Sequence, residues 1–236
     1  LGISVLETAG TTCCGAIDQH MSASQAALMH AKANVDAWCK ALDEGAEAIV
    51  MTASGCGTTV KEYGLLLAND TAYSEKADRV ASQTLDLSQL IAKEPLKPLA
   101  EAGPGGLNDL RCAYHPPCSL QHGQQLRGDV ESILTTLGVT LLPIADAHLC
   151  CGSAGTYSIF QTELAERLKT NKLANLNAGE PSMILTANIG CMHHLQTGTQ
   201  RRVHHWIEAV DDAMNLTYCD RNEPEHSAEM ARPGAQ

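Results

Sequence analysis

The chain has 236 residues, 44% of them hydrophobic, and a formal net charge of -11 from 16 Lys+Arg against 27 Asp+Glu. That length supports a sizeable core in one or two domains, and the acidic balance excludes a nucleic-acid binder or a surface docked on anionic lipid, which need clustered positive charge. Its apolar content excludes a disordered chain, and no apolar run approaches the roughly 18 residues of a membrane span.

In chain order, Ile3 to Leu6 reads as a strand running into the turn Cys13-Cys14-Gly15. Leu28, Ala31, Val35, Trp38 and Leu42 then recur at helical spacing, giving one apolar stripe, and Gly45 sits where a left-handed cap ends such a helix. Ile49 to Thr52 reads as a short buried strand before Gly55-Cys56, and Glu75 to Lys93 as one further helix. Residues 94–108, rich in Pro and Gly, read as a linker. Leu110 to Tyr114 is strand-like and leads to His115-Pro116-Pro117-Cys118, whose prolines stiffen the turn that presents a sulfur. Val139 to Leu142, Cys150-Cys151-Gly152, a long helix capped at Gly179, Met183 to Thr186 and Gly190-Cys191 repeat the first series. His204 and His205 precede an amphipathic helix as packing or surface residues. After Met214 the chain turns polar, without periodicity.

The repetition is an internal duplication. Leu1-Gly2 is matched by Leu137-Gly138, the two Cys-Cys-Gly triplets by each other, Asn34 by Asn171, and Gly55-Cys56 by Gly190-Cys191, in one order and with little drift. The expectation is an α/β fold built as a tandem duplication of a small cysteine-rich unit, with short parallel strands and metal-cluster loops at strand C-terminal ends. Residues 1–93 form the first unit, 94–108 the linker, 109–214 the second unit and 215–236 a loose tail. Cys118 precedes Leu137 by 19 residues, so its first-unit counterpart is expected upstream of Leu1. That and the start at Leu1 rather than Met read as a fragment, and no signal peptide is visible.

The chain has 10 cysteines. Adjacent cysteines rarely bridge each other, so a reducing cytoplasm with thiolates as ligands is the better reading. Cys118, Cys150, Cys151 and Cys191 all map to turns at one sheet edge, where neighbouring glycines let backbone approach a bulky centre and a helix N-terminus behind Cys151 favours anionic sulfur. Four thiolates suit a [4Fe–4S] cluster, one per iron, and also structural zinc, although zinc sites usually show Cys-x-x-Cys. Cys13, Cys14 and Cys56 form the matching first set. Cys39 and Cys112 read as buried small hydrophobes and Cys219 as incidental. His194, in Cys191-x-x-His194, reads as a residue that orients the centre or pairs with zinc.

The runs Thr52-Ala53-Ser54-Gly55-Cys56-Gly57, Val60-Lys61-Glu62-Tyr63-Gly64, Leu120-Gln121-His122, His148 to Tyr157 and Thr186 to Cys191 resemble the cysteine-rich CCG domain pair. That family is shared by the B subunit of heterodisulfide reductases, lactate-utilisation iron–sulfur proteins and the iron–sulfur subunits of glycolate oxidase, the branch these runs resemble most. The resemblance implies electron transfer from FAD-containing subunits that oxidise glycolate to glyoxylate, towards a membrane quinone, by a protein peripheral to the inner face of the cytoplasmic membrane. It leaves a lactate-utilisation or heterodisulfide-type redox subunit, or a zinc-stabilised scaffold, as alternatives. One departure bears on them: Cys56-Gly57-Thr58-Thr59 and Cys191-Met192-His193-His194 lack the second cysteine of the heterodisulfide pattern.

Overall fold

In a computed structural model the protein is described over residues 1–102 and 110–214. The first unit contains α1 (Ala16–His20), α2 (Ser24–Asp43), β1 (Ile49–Met51), α3 (Ser54–Lys61), α4 (Tyr63–Leu66), α5 (Ser74–Ser82), β2 (Thr84–Asp86) and α6 (Leu87–Ile91). α7 (Leu96–Ala102) occupies the described part of the expected linker; the rest of that linker, and the expected tail, lie outside the described residues. The second unit contains β3 (Arg111–His115), a π-helical turn (Ser119–Gly123), α8 (Asp129–Thr136), β4 (Thr140–Leu141), α9 (Tyr157–Phe160), α10 (Thr162–Asn177), β5 (Met183–Thr186), α11 (Ile189–Gln196), β6 (Val203–His205) and α12 (Trp206–Met214).

All strand pairs are parallel. β1 pairs with β2, and the second unit forms a four-stranded sheet in the order β4-β3-β5-β6. The α2 stripe is buried as expected: Ala31, Val35 and Leu42 meet Ile49, Val60, Tyr63 and Val80 in the first core. In the second unit the period-2 alternation of β3 and β5 divides the core. Tyr114 and Leu185 face α8 and α12, packing with Leu134, Val139 and Trp206. Ala113 and Ile184 face α10 and α11, packing with Leu173, Leu176, Leu195, Cys151 and Cys191.

Four local expectations are corrected. Residues 3–6 form no strand, and Ile3, Val5 and Leu6 are exposed. Their counterpart β4 hydrogen-bonds only to β3, and the described first unit has no equivalent of β3 for residues 3–6 to pair with. The single helix expected over 75–93 is interrupted by β2. Asp86 ends that strand and caps α6, its carboxylate accepting from the Ser88 N–H at 2.9 Å while Gln89 accepts from the Asp86 N–H at 3.1 Å. Gly45 adopts φ +109° as a helix-ending residue, but at the end of α10 the left-handed residue is Glu180, not Gly179. Finally, Gly55-Cys56 and Gly190-Cys191 are not loops; both lie in first helical turns, of α3 and α11.

The two units meet at their strand ends. The Ser54 N–H donates to the Ala187 carbonyl at 3.1 Å, the Gln124 amide to the Ser54 carbonyl at 2.9 Å, and His205 Nε2 lies 2.8 Å from the Thr52 carbonyl. Beneath this junction Trp206 is fully buried. Trp206→Ala is expected to destabilise the chain by about 3–5 kcal/mol through the cavity it leaves; the urea midpoint of unfolding measures it.

Candidate metal centre

Four sulfurs converge in the second unit. Cys118 stands at the start of the π-helical turn, Cys150 and Cys151 in the loop after β4, and Cys191 in the first turn of α11. The sulfurs influence one another in series, Cys118 with Cys150, Cys150 with Cys151 and Cys151 with Cys191. His115 closes the series: its ring and the Cys151 and Cys191 sulfurs offer ligand atoms all within 4.8 Å of one another, and all three residues are buried. The period-2 pattern of β3 explains this placement. Cys112 and Tyr114 point to the α8 side, so Ala113 and His115 point to the cysteines. Neither His115 ring nitrogen has a well-formed hydrogen bond; the nearby Cys191 thiol is the group it influences.

The series separates the thiols into two kinds. Cys150 is held well below the usual thiol range, first by the Cys118 contact and then by Cys151, with the Gly152 N–H also donating to its sulfur at 3.3 Å. Cys191 is lowered to about 5, chiefly by Cys151, against the cost of its own burial. Cys118 and Cys151 are raised, mainly by their contact with Cys150. The Asn188 amide approaches the Cys191 sulfur at 3.7 Å, and Cys191 sits in the positive first turn of α11. The helix terminus expected behind Cys151 is absent there, since α10 begins only at Thr162.

Gly152 sets the depth of the loop. Its φ is +95°, and a Cβ at that position would lie 2.5 Å from the Ala165 carbonyl oxygen on α10. Gly15 makes the same approach in the first unit, at 3.1 Å from the Ala27 carbonyl oxygen. These two contacts align α2 with α10 so that Asn34 corresponds to Lys172. Asn171, its match by sequence, is exposed.

In the first unit Cys13, Cys14 and Cys56 lie together, Cys14 close enough for both others to act on its thiol. Asn34 shapes their loop, accepting from the Thr12 N–H at 2.7 Å and donating to the Cys13 carbonyl at 3.0 Å. The Tyr63 hydroxyl donates to the Cys14 carbonyl at 2.9 Å. Cys56 is lowered to about 7, chiefly by the Cys14 thiol. The Ser54 and Ser119 hydroxyls, 2.8 Å apart, join the two sites across the unit boundary.

The remaining residues are placed elsewhere. Cys39 is buried in α2, and Cys112 is buried in β3, its thiol pushed up to about 11 by burial. Both are free thiols; Cys219 lies outside the described residues. His194 is half-buried, with its Nε2 unpartnered, and is absent from the converging group. Sequence reasoning missed His115, Lys172, Asn34 and Tyr63. The alternation of β3 was a signal for His115.

Comparison with known proteins gives the family. The CCG cysteine-rich domain matches residues 1–61 and 112–196, the segments that carry both cysteine sets. The chain is 49% identical over 214 residues to the glycolate oxidase iron-sulfur subunit of Escherichia coli, covering 91% of the chain and 51% of that protein. It is 30% identical over 192 residues to a probable glycolate oxidase iron-sulfur subunit of Bacillus subtilis, covering 80% and 41%. Lactate utilization protein A of Geobacillus kaustophilus is 26% identical over 220 residues, covering 89% and 87%. The chain spans about half the length of the first two relatives. With two matched segments, two Cys-Cys-Gly loops and a shared α/β architecture, the chain belongs to the CCG cysteine-rich domain family.

Proposed function

We propose that this chain is an electron-carrying part of the iron–sulfur subunit of a glycolate oxidase. The carrying observation is the convergence of Cys118, Cys150, Cys151 and Cys191 with His115 in a chain 49% identical to such a subunit. Four thiolate donors, Cys151 and Cys191 buried and Cys118 and Cys150 half-buried, fit a [4Fe–4S] cluster, which when bound supplies a one-electron carrier. The protein's residues hold its charge: the Gly152 N–H, the Asn188 amide and the first turn of α11 direct positive potential at the sulfurs. Cys13, Cys14 and Cys56 form a second, three-sulfur site, for iron–sulfur or zinc.

FAD-containing subunits that oxidise glycolate would deliver the electrons, and a membrane quinone would accept them, with the complex at the inner face of the cytoplasmic membrane. No described helix is long and apolar enough to cross a membrane. Ile159 and Phe160, 70% and 63% exposed just after the Cys-Cys-Gly loop, give a partner an apolar foothold. A lactate-oxidising system is the second reading, supported by relatives named lactate utilization protein A at 25–29% identity.

The test is anaerobic reduction of the purified protein by glycolate. Bleaching of the visible absorption only when the flavin subunit is added supports the proposal; bleaching by lactate alone supports the second reading, and stoichiometric zinc without sulfide overturns both. Within the same site, His115→Ala is expected to retain iron and sulfide while lowering the reduction potential, because a donor near Cys191 is lost. Redox titration followed by EPR measures it.

A further inference from the structure

Lys172 is a charged residue in an unusual place. It is 2% exposed, on the face of α10 that packs against the β3 and β5 side of the core. Its Nζ donates to the Asp146 carbonyl at 2.8 Å and the Ala147 carbonyl at 3.3 Å, both in the loop that runs into Cys150 and Cys151. Neither partner is a carboxylate. Its neighbour Lys169, also buried, is by contrast paired with Glu166 at 2.7 Å. A buried ammonium without a counter-charge is costly, and proteins keep such groups where an anion compensates them. The groups whose charge reaches Lys172 are the sulfurs of Cys151 and Cys150, then the Asp146 carboxylate and the Cys191 sulfur, so three of the four belong to the cysteine site.

The equivalent position in the first unit holds Asn34, a neutral residue that grips its own Cys-Cys-Gly loop at Thr12 and Cys13. A Cys-Cys-Gly loop can therefore be tied to its long helix by a neutral side chain. The second site has a cation and the first has a neutral amide.

We propose that Lys172 is the buried counter-ion of the second cysteine site and that its ammonium raises the reduction potential of a centre held there. This rests on the iron–sulfur reading above. A one-electron reduction adds one negative charge to the centre and removes none elsewhere, so a fixed cation stabilises the reduced form more than the oxidised one. Net charge around a cluster is one of the protein's means of setting its potential. Lys172 is a positioning residue: it acts through the field and through the loop, not as a ligand.

The experiment is an EPR-monitored redox titration of the complete natural subunit, with the second-site signal identified as the one lost in Cys151→Ser. Lys172→Asn and Lys172→Gln keep a hydrogen-bond donor and remove the charge; Lys172→Arg keeps both. The neutral variants are expected to lower the potential so that the oxidised-to-reduced ratio at fixed potential rises at least tenfold, about 59 mV for one electron, while Lys172→Arg stays close to wild type. Assembly of the centre in Lys172→Arg but in neither neutral variant also supports the counter-ion role. An unmoved potential in a neutral variant with intact iron, or loss of the centre in all three variants, would overturn it. A wild-type subunit without iron and sulfide would instead defeat the iron–sulfur reading itself.

Discussion

Replacing Cys151 with Ser is expected to abolish the visible absorption of the second site and remove its iron and acid-labile sulfide. Cys151 is 1% exposed and stands in the middle of the sulfur series, influenced by both Cys150 and Cys191. Its loss therefore breaks the donor set at its centre. Serine is a harder, less favoured ligand for iron than thiolate, and a cluster with one ligand per iron has no spare donor of the same kind. Cys112→Ser is the control: Cys112 is equally buried, but faces Tyr114 and Leu134 on the opposite side of the sheet. It is expected to cost about 1–3 kcal/mol of stability by burying a hydroxyl, with iron and sulfide unchanged. The comparison separates loss of a ligand from loss of packing.

Gly152→Ala is expected to be nearly as damaging without touching a ligand. The substitution incurs about 1–2 kcal/mol for a left-handed backbone, and its Cβ meets a main-chain oxygen, Ala165 O, that has no flexible side chain to swing aside. The loop must lift from α10, costing on the order of a further 1–3 kcal/mol and moving Cys150 and Cys151 away from Cys191. Gly45→Ala isolates the first effect, since φ is +109° there and the added Cβ meets nothing within 4 Å. Thermal unfolding together with iron content is the measurement. Gly45→Ala lowers the melting temperature slightly at full iron; Gly152→Ala lowers both. Full iron in Gly152→Ala would mean that the close approach to α10 does not position the sulfurs.

The duplicated α/β architecture was legible because its signals are local and repeated: the α2 stripe, the apolar run of β5 and the two Cys-Cys-Gly loops. The grouping of the seven cysteines into two sets rests on the same repeats. Other features depend on partners distant in sequence. β2 was hidden inside an apparently helical stretch because three residues are too few for periodicity, although Asp86-Leu87-Ser88-Gln89 carries the capping-box pattern. Residues 3–6 have strand-like composition but no strand beside them, and composition alone cannot supply one. Lys172 was the least legible. In sequence it is one more lysine on a helix whose stripe also includes Lys169, and only the Gly152–Ala165 contact, fixing the phase of α10, shows it beneath the cysteines. Asn171, which sequence spacing favoured as the match of Asn34, points to solvent.

Cys118, Cys150, Cys151 and Cys191 are expected to hold one iron–sulfur centre. A crystal of the anaerobically prepared protein, with diffraction recorded above and below the iron absorption edge, tests it most directly. The prediction is an iron peak of about four atoms within bonding distance of the four sulfurs, with the His115 ring beside Cys191 but not bound to iron. A single zinc ion among the same residues, or iron ligated without Cys118 or Cys151, would contradict it.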